Sequence, residues 1–463
     1  MIRELQIKNF KSWANSGTVK LAGLTGLFGA NSSGKSAFIQ TLLLMKQSQR
    51  DTDPLRVLFL GDQNALIDLG TFRDFVYQHD TDRVVMFSLK WDTELKLQLG
   101  QASYASKFIQ FNSGIRALEA SSEGGLPAQI IVDHLEYTFG KLVFGMRKNP
   151  EPKENDVFDL IERMEPSFTF FINDHSLDES VKKLDGKGLP RPYKFYELPD
   201  ELFSEYEAPR ELSKPGYRFE ELISSIYYLG PIREEPRSYY AFSGSRVSDV
   251  GKRGAEAIPV LLSTLYANQR GSVLPKSQIE VRVSEALKKM GLIESFRIRS
   301  IEGSQNQFEV LIRKTPNGPE VHLNEVGFGV SQVLPVIVLL YTAPKNAILL
   351  LEQPELHLHP AAQFALGDLL IEVSRERNLQ IIFESHSEHI LQRIQRRVAE
   401  GEISEKDVAL YFTSLDGNAS KITRLKLDPY GNISNWPKDF FGNLMNEVSA
   451  RTLASIDREL KDK

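Results

Sequence analysis

The stretch LTGLFGANSSGKSAFIQTLLLM, residues 24–45, decides the fold. An apolar run enters a glycine-rich loop. Phe38, Leu42 and Met45 then recur at helical spacing, so a helix is expected from near Lys35. Within the stretch, GANSSGKS at 29–36 fits G-x-x-x-x-G-K-[ST] in full, in the strand-loop-helix setting that pattern requires. Gly29 and Gly34 let the backbone turn its N–H groups inward around phosphate oxygens, and Asn31, Ser32 and Ser33 complete the loop. The helix N-terminus adds positive potential. In this pattern Lys35 reaches the β- and γ-phosphates, and the Ser36 hydroxyl is a magnesium ligand. ATP and Mg2+ are therefore the expected cofactors.

A second apolar strand, NAILLLE, runs into QPELHLHP and puts Glu352 at its carboxyl end. There Glu352 is expected to serve the magnesium, directly or through water. The next residue is an amide, Gln353, which cannot accept a proton at neutral pH. It can still orient an attacking water, as GTPase glutamines do. Positioning and electrostatics carry most of phosphoryl transfer, so turnover is expected to be slow rather than absent. A third strand, LQIIFE, ends at Glu384, Ser385 and His386. At the edge where ligands bind in open α/β sheets, His386 is placed to touch a γ-phosphate. Catalytic roles are thus expected for Gln353, Glu352 and His386, with Glu355 and Glu384 as further sources of base character. His357 and His359 alternate along one side, but no third ligand lies at a useful spacing, so zinc is not expected.

The chain has 463 residues, 41% hydrophobic and 25% charged, with a net charge of −5 and no cysteine. That composition suits a soluble protein of two to four structural units. It gives no global basic field for nucleic acid and excludes disulfides and thiol chemistry. The N-terminal MIRELQIKNFKSW carries charges where a secretory signal has an apolar core, and the most apolar region is broken by Pro344, Lys345 and Asn346. A cytoplasmic protein without membrane contact is expected.

IRELQIKNF alternates as a strand, and VKLAGLTGLFG reads as one or two more. RVVMFSLKW, LKLQLG, IIVDHLEYTFG and KLVFGMRK read as antiparallel strands, and residues from about 150 to 225 as an irregular, partly helical insertion. ISSIYYLGPIREEPR contains a buried strand stopping at Gly230. A helix over QIEVRVSEALKKMG, a hairpin of RIRSIEG with QFEVLIRK, and a helix over about 331–342 follow. A helix after Pro360 is expected to carry Ala361, Phe364, Ala365, Leu369 and Val373 on one face, and LQIIFE is read as the last core strand. Alternating apolar strands and helices imply an α/β fold, a parallel sheet wrapped by helices beside a mixed β-sheet lobe. No heptad pattern persists, so no long coiled coil is expected. The expected divisions are 1–100, an N-terminal part with the phosphate loop; 101–225, an insertion; 226–415, the C-terminal part of the ATPase head; and 416–463, a small tail domain.

The order of motifs over 1–100 and about 225–415 resembles head-only ABC-type ATPases of the SMC, RecF and OLD groups. LQIKNFKSW resembles their opening strand, which implies contacts from Lys11 and Ser12 to the nucleotide. LNEVGFGVSQVLP, 323–335, resembles the ABC signature segment. That implies that Gly329, Ser331 and Gln332, with Gly327, meet the γ-phosphate held by an opposite subunit. ELHLHP takes the place of the dimer-contacting loop and His386 that of the switch histidine. Gln78 is the candidate for the glutamine loop, and Arg233, in YYLGPIREEPR, falls on the nucleotide side. DPYGNISNWPKDFFGNL resembles a short C-terminal domain of bacterial ATPases in phage-defence operons, and Septu-type ATPase subunits are similar in overall plan. OLD proteins add a metal-dependent nuclease. Here 77 residues follow His386 and no carboxylate cluster for two metals is evident, so no nuclease within the chain is expected.

The resemblance implies an ATP-binding, slowly hydrolysing ATPase that forms a homodimer or higher homo-oligomer through its ATP-bound heads. It also implies control of a separate effector, a nuclease or toxin encoded nearby, in antiphage defence. A RecF-like DNA-binding ATPase of DNA repair, with DNA as partner, is the alternative. A transporter's nucleotide-binding subunit is a more distant one.

Overall fold

A computed structural model describes residues 1–53, 56–118, 129–149, 167–173, 181, 184–267, 278–304 and 306–437. Much of the insertion expected at 101–225, and residues 438–463 of the tail, lie outside the described residues.

Two sheets organise the described chain. The first has nine strands, antiparallel throughout, whose main path runs from Gly188–Leu189 through Phe168–Ile172, Leu142–Lys148, Ile130–Phe139, Phe108–Ala117 and Val85–Asp92 to Ile2–Phe10 and Trp13–Asn15. Alternation explains its strands. In Val85–Asp92 every other side chain is buried, the period-2 pattern of a sheet with one covered face. Strands from the 101–225 segment continue the sheet begun by residues 1–100.

The second sheet has six strands in the order Ile226–Leu229, Ile348–Glu352, Gln380–Glu384, Leu24–Gly29, Val408–Asp416, Ala419–Arg424. The first five are mutually parallel, and the last returns antiparallel. Their near-continuous apolar runs follow from burial on both faces. Leu350, Ile382 and Ala409 point into one core with helix Lys35–Arg50, while Leu349, Leu351, Ile381, Phe383 and Leu410 point into a second core with the helices of residues 257–399. The buried amide of Gln380 joins the sheets: its Nε2 donates to Ile2 O (2.7 Å) and its Oε1 accepts from Ile2 N (2.7 Å). Removing it orphans buried backbone groups at about 1–3 kcal/mol each.

The fold is α/β, a mixed β-sheet lobe beside a largely parallel sheet wrapped by helices. Among the described residues no helix exceeds the 18 residues of Pro360–Arg377, and none is long and apolar enough to cross a membrane.

Several local expectations shift. Strand Phe108–Ala117 joins the antiparallel lobe. The helix expected at 331–342 begins three residues earlier, at Phe328, and tolerates Pro335 inside it. In Pro360–Arg377 the buried side is Ala362, Leu366, Leu369, Leu370 and Val373, while Ala361 faces solvent. Ala361 sits in the first turn, beside the His359 cap. LQIIFE is not the last core strand: Val408–Asp416 pairs with Leu24–Gly29 from the other side, and its hairpin carries the sheet past position 416.

Candidate functional site

The carboxyl ends of three neighbouring parallel strands, Ile348–Glu352, Gln380–Glu384 and Leu24–Gly29, converge on one cleft. Open α/β sheets place ligands at this edge. The cleft holds about 390 Å³ and is lined by Lys11, Ser12, Asn31, Ser32, Gly34, Lys35, Ser36, Gln40, Gln353, Glu384 and His386. A larger groove of about 1060 Å³ lies elsewhere, along Trp91, Lys107 and Arg218. Its arginines are paired with their neighbours, Arg3 with Asp92 and Arg218 with Glu221.

The phosphate loop takes its shape from two glycines. Gly29 has φ +141°, and a Cβ there would lie 2.2 Å from Thr413 O; Gly34 has φ +93°, and a Cβ would meet Ser420 Oγ at 2.5 Å. Both contacts come from the hairpin Val408–Asp416/Ala419–Arg424, which supports the loop from below. Ser33 Oγ bonds Thr413 Oγ1 (2.6 Å), and Ser420 Oγ donates to Ser12 Oγ (2.6 Å). Ser33 is buried in that contact, so its hydroxyl serves the loop's support, whereas Asn31 and Ser32 are exposed on the cleft.

Lys35 is buried. Its Nζ donates to Gly29 O (3.1 Å) and Ala30 O (2.7 Å) and lies 3.7 Å from Glu384 Oε1. Burial lowers its pKa, against the pull of Glu384. The Ser36 hydroxyl donates to Glu384 Oε2 at 2.7 Å. Glu384 therefore sits against both phosphate-loop side chains, a contact 348 residues apart in sequence.

Glu352 is in register with Glu384 on the adjacent strand. Its Oε1 accepts from the Tyr228 hydroxyl (2.9 Å), and it does not line the cleft. Burial pushes its carboxyl up to about 7; the Tyr228 bond opposes this, Glu384 reinforces it, and Arg233 and Lys11 oppose it. Gln353 lines the cleft with its backbone in the left-handed region (φ +45°), its N–H donating to Glu384 O at 2.8 Å. His386 is exposed at the mouth. Desolvation and then Lys35 lower its pKa, which keeps the imidazole neutral near pH 7.

Glu355 fixes this corner. Its buried Oε1 accepts from Ser385 Oγ and His386 N, both at 2.8 Å, setting the backbone from which His386 projects. Arg233 is 6% exposed: Nη2 donates to Glu352 O (3.2 Å), while Nε and Nη1 have no hydrogen-bond partner. Burial lowers its pKa to about 10. The sequence pointed to its side of the sheet but gave no sign of this burial.

The remaining expected residues divide. Lys11 Nζ donates to Gln40 Oε1 (2.6 Å) at the cleft wall. Gln78 is exposed and does not line the cleft, where Gln40 is the glutamine beside Gln353. Gly329, Ser331 and Gln332 form the first turns of helix Phe328–Thr342, away from this cleft. Ser331 is buried and donates to Phe328 O (3.0 Å), so its hydroxyl serves its own helix. Beside it Phe328 is 67% exposed, next to His357, with ring centroids 6.1 Å apart. His359 caps helix Pro360–Arg377 through its side chain.

Residues 268–391 match the model of the AAA ATPase domain, and residues 403–450 match that of a protein family of unknown function, DUF3696. No curated protein matches the chain. Solved structures to which it is similar are SMC heads. One is bound to the C-winged helix domain of ScpA (14% identity, 92% of this chain, 98% of that one, TM-score 0.42). Another is the SMC head domain from Thermotoga maritima (11%, 92% and 99%, TM-score 0.39). A third has an extended coiled coil bound to the C-terminal domain of ScpA derived from Pyrococcus furiosus (12%, 92% and 96%, TM-score 0.40). The phosphate loop lies outside the matched segment and is brought to it by strand pairing between Leu24–Gly29 and Gln380–Glu384. Residues 268–391 are thus similar to an AAA ATPase domain, and the parallel sheet joins that segment to the glycine-rich loop 29–36, more than two hundred residues upstream.

Proposed function

We propose that the protein is an ATP-binding, slowly hydrolysing ATPase head that pairs with a second copy when nucleotide is bound. The observation that carries this reading is the cleft at 29–36, where Lys35, Ser36, Gln353, Glu384 and His386 converge. A volume of about 390 Å³ falls in the range of small-molecule sites. Loop N–H groups and Lys35 hold the phosphates, and Lys11 adds positive charge from the opening strand. Ser36 and Glu384 offer hard oxygen ligands that suit magnesium at the cleft, whereas Glu352, expected to serve the metal, is held by Tyr228 and does not line it. Once bound, magnesium would neutralise charge on the phosphate oxygens.

Gln353 orients the attacking water through its amide. Neutral His386 donates or accepts a hydrogen bond at the γ-phosphate, and Glu355 holds it there. The lack of a general base at 353 costs roughly 10²–10⁴-fold in rate. Supporting pairing, Phe328 and Leu356 are exposed apolar side chains flanking His357 on the face that bears Gly329 and Gln332. The resemblance to Septu-type subunits supports control of a separate nuclease or toxin in antiphage defence.

Lys35→Ala tests the reading. The parent should be stabilised by ATP with magnesium, by about 2.7 kcal/mol at a hundredfold excess over Kd, and the variant should not. An unchanged ATP-induced rise in melting temperature in the variant refutes the nucleotide site.

A further inference from the structure

Glu384 holds an unusual place for a carboxylate. It is 5% exposed, and its contacts on the phosphate loop are the two side chains expected to meet phosphate and metal. A buried carboxylate needs a compensating charge. In this structure Lys35 supplies it at 3.7 Å and Ser36 adds a hydrogen bond. A triphosphate entering the loop competes for both. Lys35 then turns to phosphate, and Glu384 is left facing several negative oxygens with Glu352 in register beside it. The cations on the cleft wall are Lys11 and Lys35, two charges against a triphosphate together with Glu384. Ser36 Oγ and Glu384 Oε2, 2.7 Å apart, are both oxygen ligands of the kind that would hold magnesium.

We propose that Glu384 couples nucleotide binding to magnesium. Its carboxylate occupies Lys35 and Ser36 before nucleotide arrives, and it faces the metal beside Ser36 once nucleotide is bound. The inference rests on the nucleotide-site reading above and adds a residue to it. Glu352, which is held by Tyr228 and lines no part of the cleft, stands behind Glu384 rather than in its place.

The experiment is calorimetric titration of ATP into the parent and into Glu384→Gln, in magnesium and in EDTA. In the parent, ATP should bind far more weakly in EDTA than in magnesium. In Glu384→Gln the ratio of the two dissociation constants should fall by about tenfold or more, chiefly through tighter binding in EDTA. Such a change corresponds to 1.4 kcal/mol of lost repulsion. Glu384→Ala gives the same readout should the amide variant fail to fold. A folded variant with the parent's ratio overturns the inference while leaving the nucleotide site intact. So does a parent that binds ATP equally well with and without magnesium, a result that needs no variant. A parent that binds ATP under neither condition refutes the nucleotide site itself.

Discussion

Replacing Glu352 with glutamine isolates the charge that burial works against. In the folded chain its carboxyl is held up to about 7, against an ordinary value of 4.5, chiefly by desolvation. Between those values the folded state keeps a proton that the unfolded state releases. Stability from this group is therefore complete below about pH 4.5 and is lost as pH rises through about 7. At 1.36 kcal/mol per pH unit, the loss at pH 8 amounts to ~3 kcal/mol. Glutamine has the same shape and still offers an oxygen to the Tyr228 hydroxyl, so packing and that hydrogen bond persist. The assay is thermal unfolding of both proteins, free of nucleotide and metal, from pH 5 to pH 8. Groups remote from Glu352 titrate alike in the two proteins and cancel, which leaves the Glu352 charge with its coupling to Glu384, Arg233 and Lys11. The variant should gain on the parent by up to ~3 kcal/mol across this range, on the order of several degrees. Two unfolding profiles that stay parallel from pH 5 to pH 8 refute the claim that Glu352 carries a burdened charge.

Gln353→Glu should raise steady-state phosphate release by roughly tenfold or more, within the range general bases provide; a slower variant shows that the amide is itself the working group. Phe328→Asp removes an exposed side chain and should leave ATP binding intact while abolishing ATP-dependent pairing in light scattering; a variant that pairs normally counts against that face. Gly34→Ala forces a side chain into a left-handed position against Ser420 and Trp13, and should cost about 1–3 kcal/mol together with ATP binding; a variant as stable as the parent shows that the hairpin does not support the loop.

What the sequence made legible had a local cause. The phosphate loop, the strand ends at Glu352 and Glu384 and the helix after Pro360 all announce themselves within a dozen residues, by apolar period or by glycine and proline. The misses were long-range. Strand Phe108–Ala117 escapes notice because Gln110, Asn112, Ser113 and Gly114 dilute its alternation; pairing with Val85–Asp92 on one side and Ile130–Phe139 on the other makes it a strand. The start of the helix at Phe328 is hidden by Gly327 and Gly329, which read as loop, and only its packing shows that Ser331 is buried. Thr413 and Ser420 lie nearly four hundred residues from the loop they support, and nothing in their neighbourhood marks them. The partner of Ser36 was within reach only as one of several acids, because parallel register, not spacing, brings Glu384 to it.

That register also bears on the amide at 353. Glu352 and Glu384 end adjacent strands in register, and Glu355 lies buried a turn away with one oxygen committed to Ser385 and His386 and the other without a partner. Desolvation raises both Glu352 and Glu355, and Glu384 adds to each. A carboxylate at 353 would be a fourth acid in this corner, its own N–H bonded to Glu384 O. Like charges at such separations disfavour joint ionisation, so the added acid would be held partly protonated before nucleotide arrives, or would press the others to be. An amide avoids that cost and keeps both a donor and an acceptor for water. On the proposed reading, the same crowding that makes glutamine compatible with this site would keep the strongest base from beside the water, and would tie slow turnover to the placement of three neighbouring glutamates.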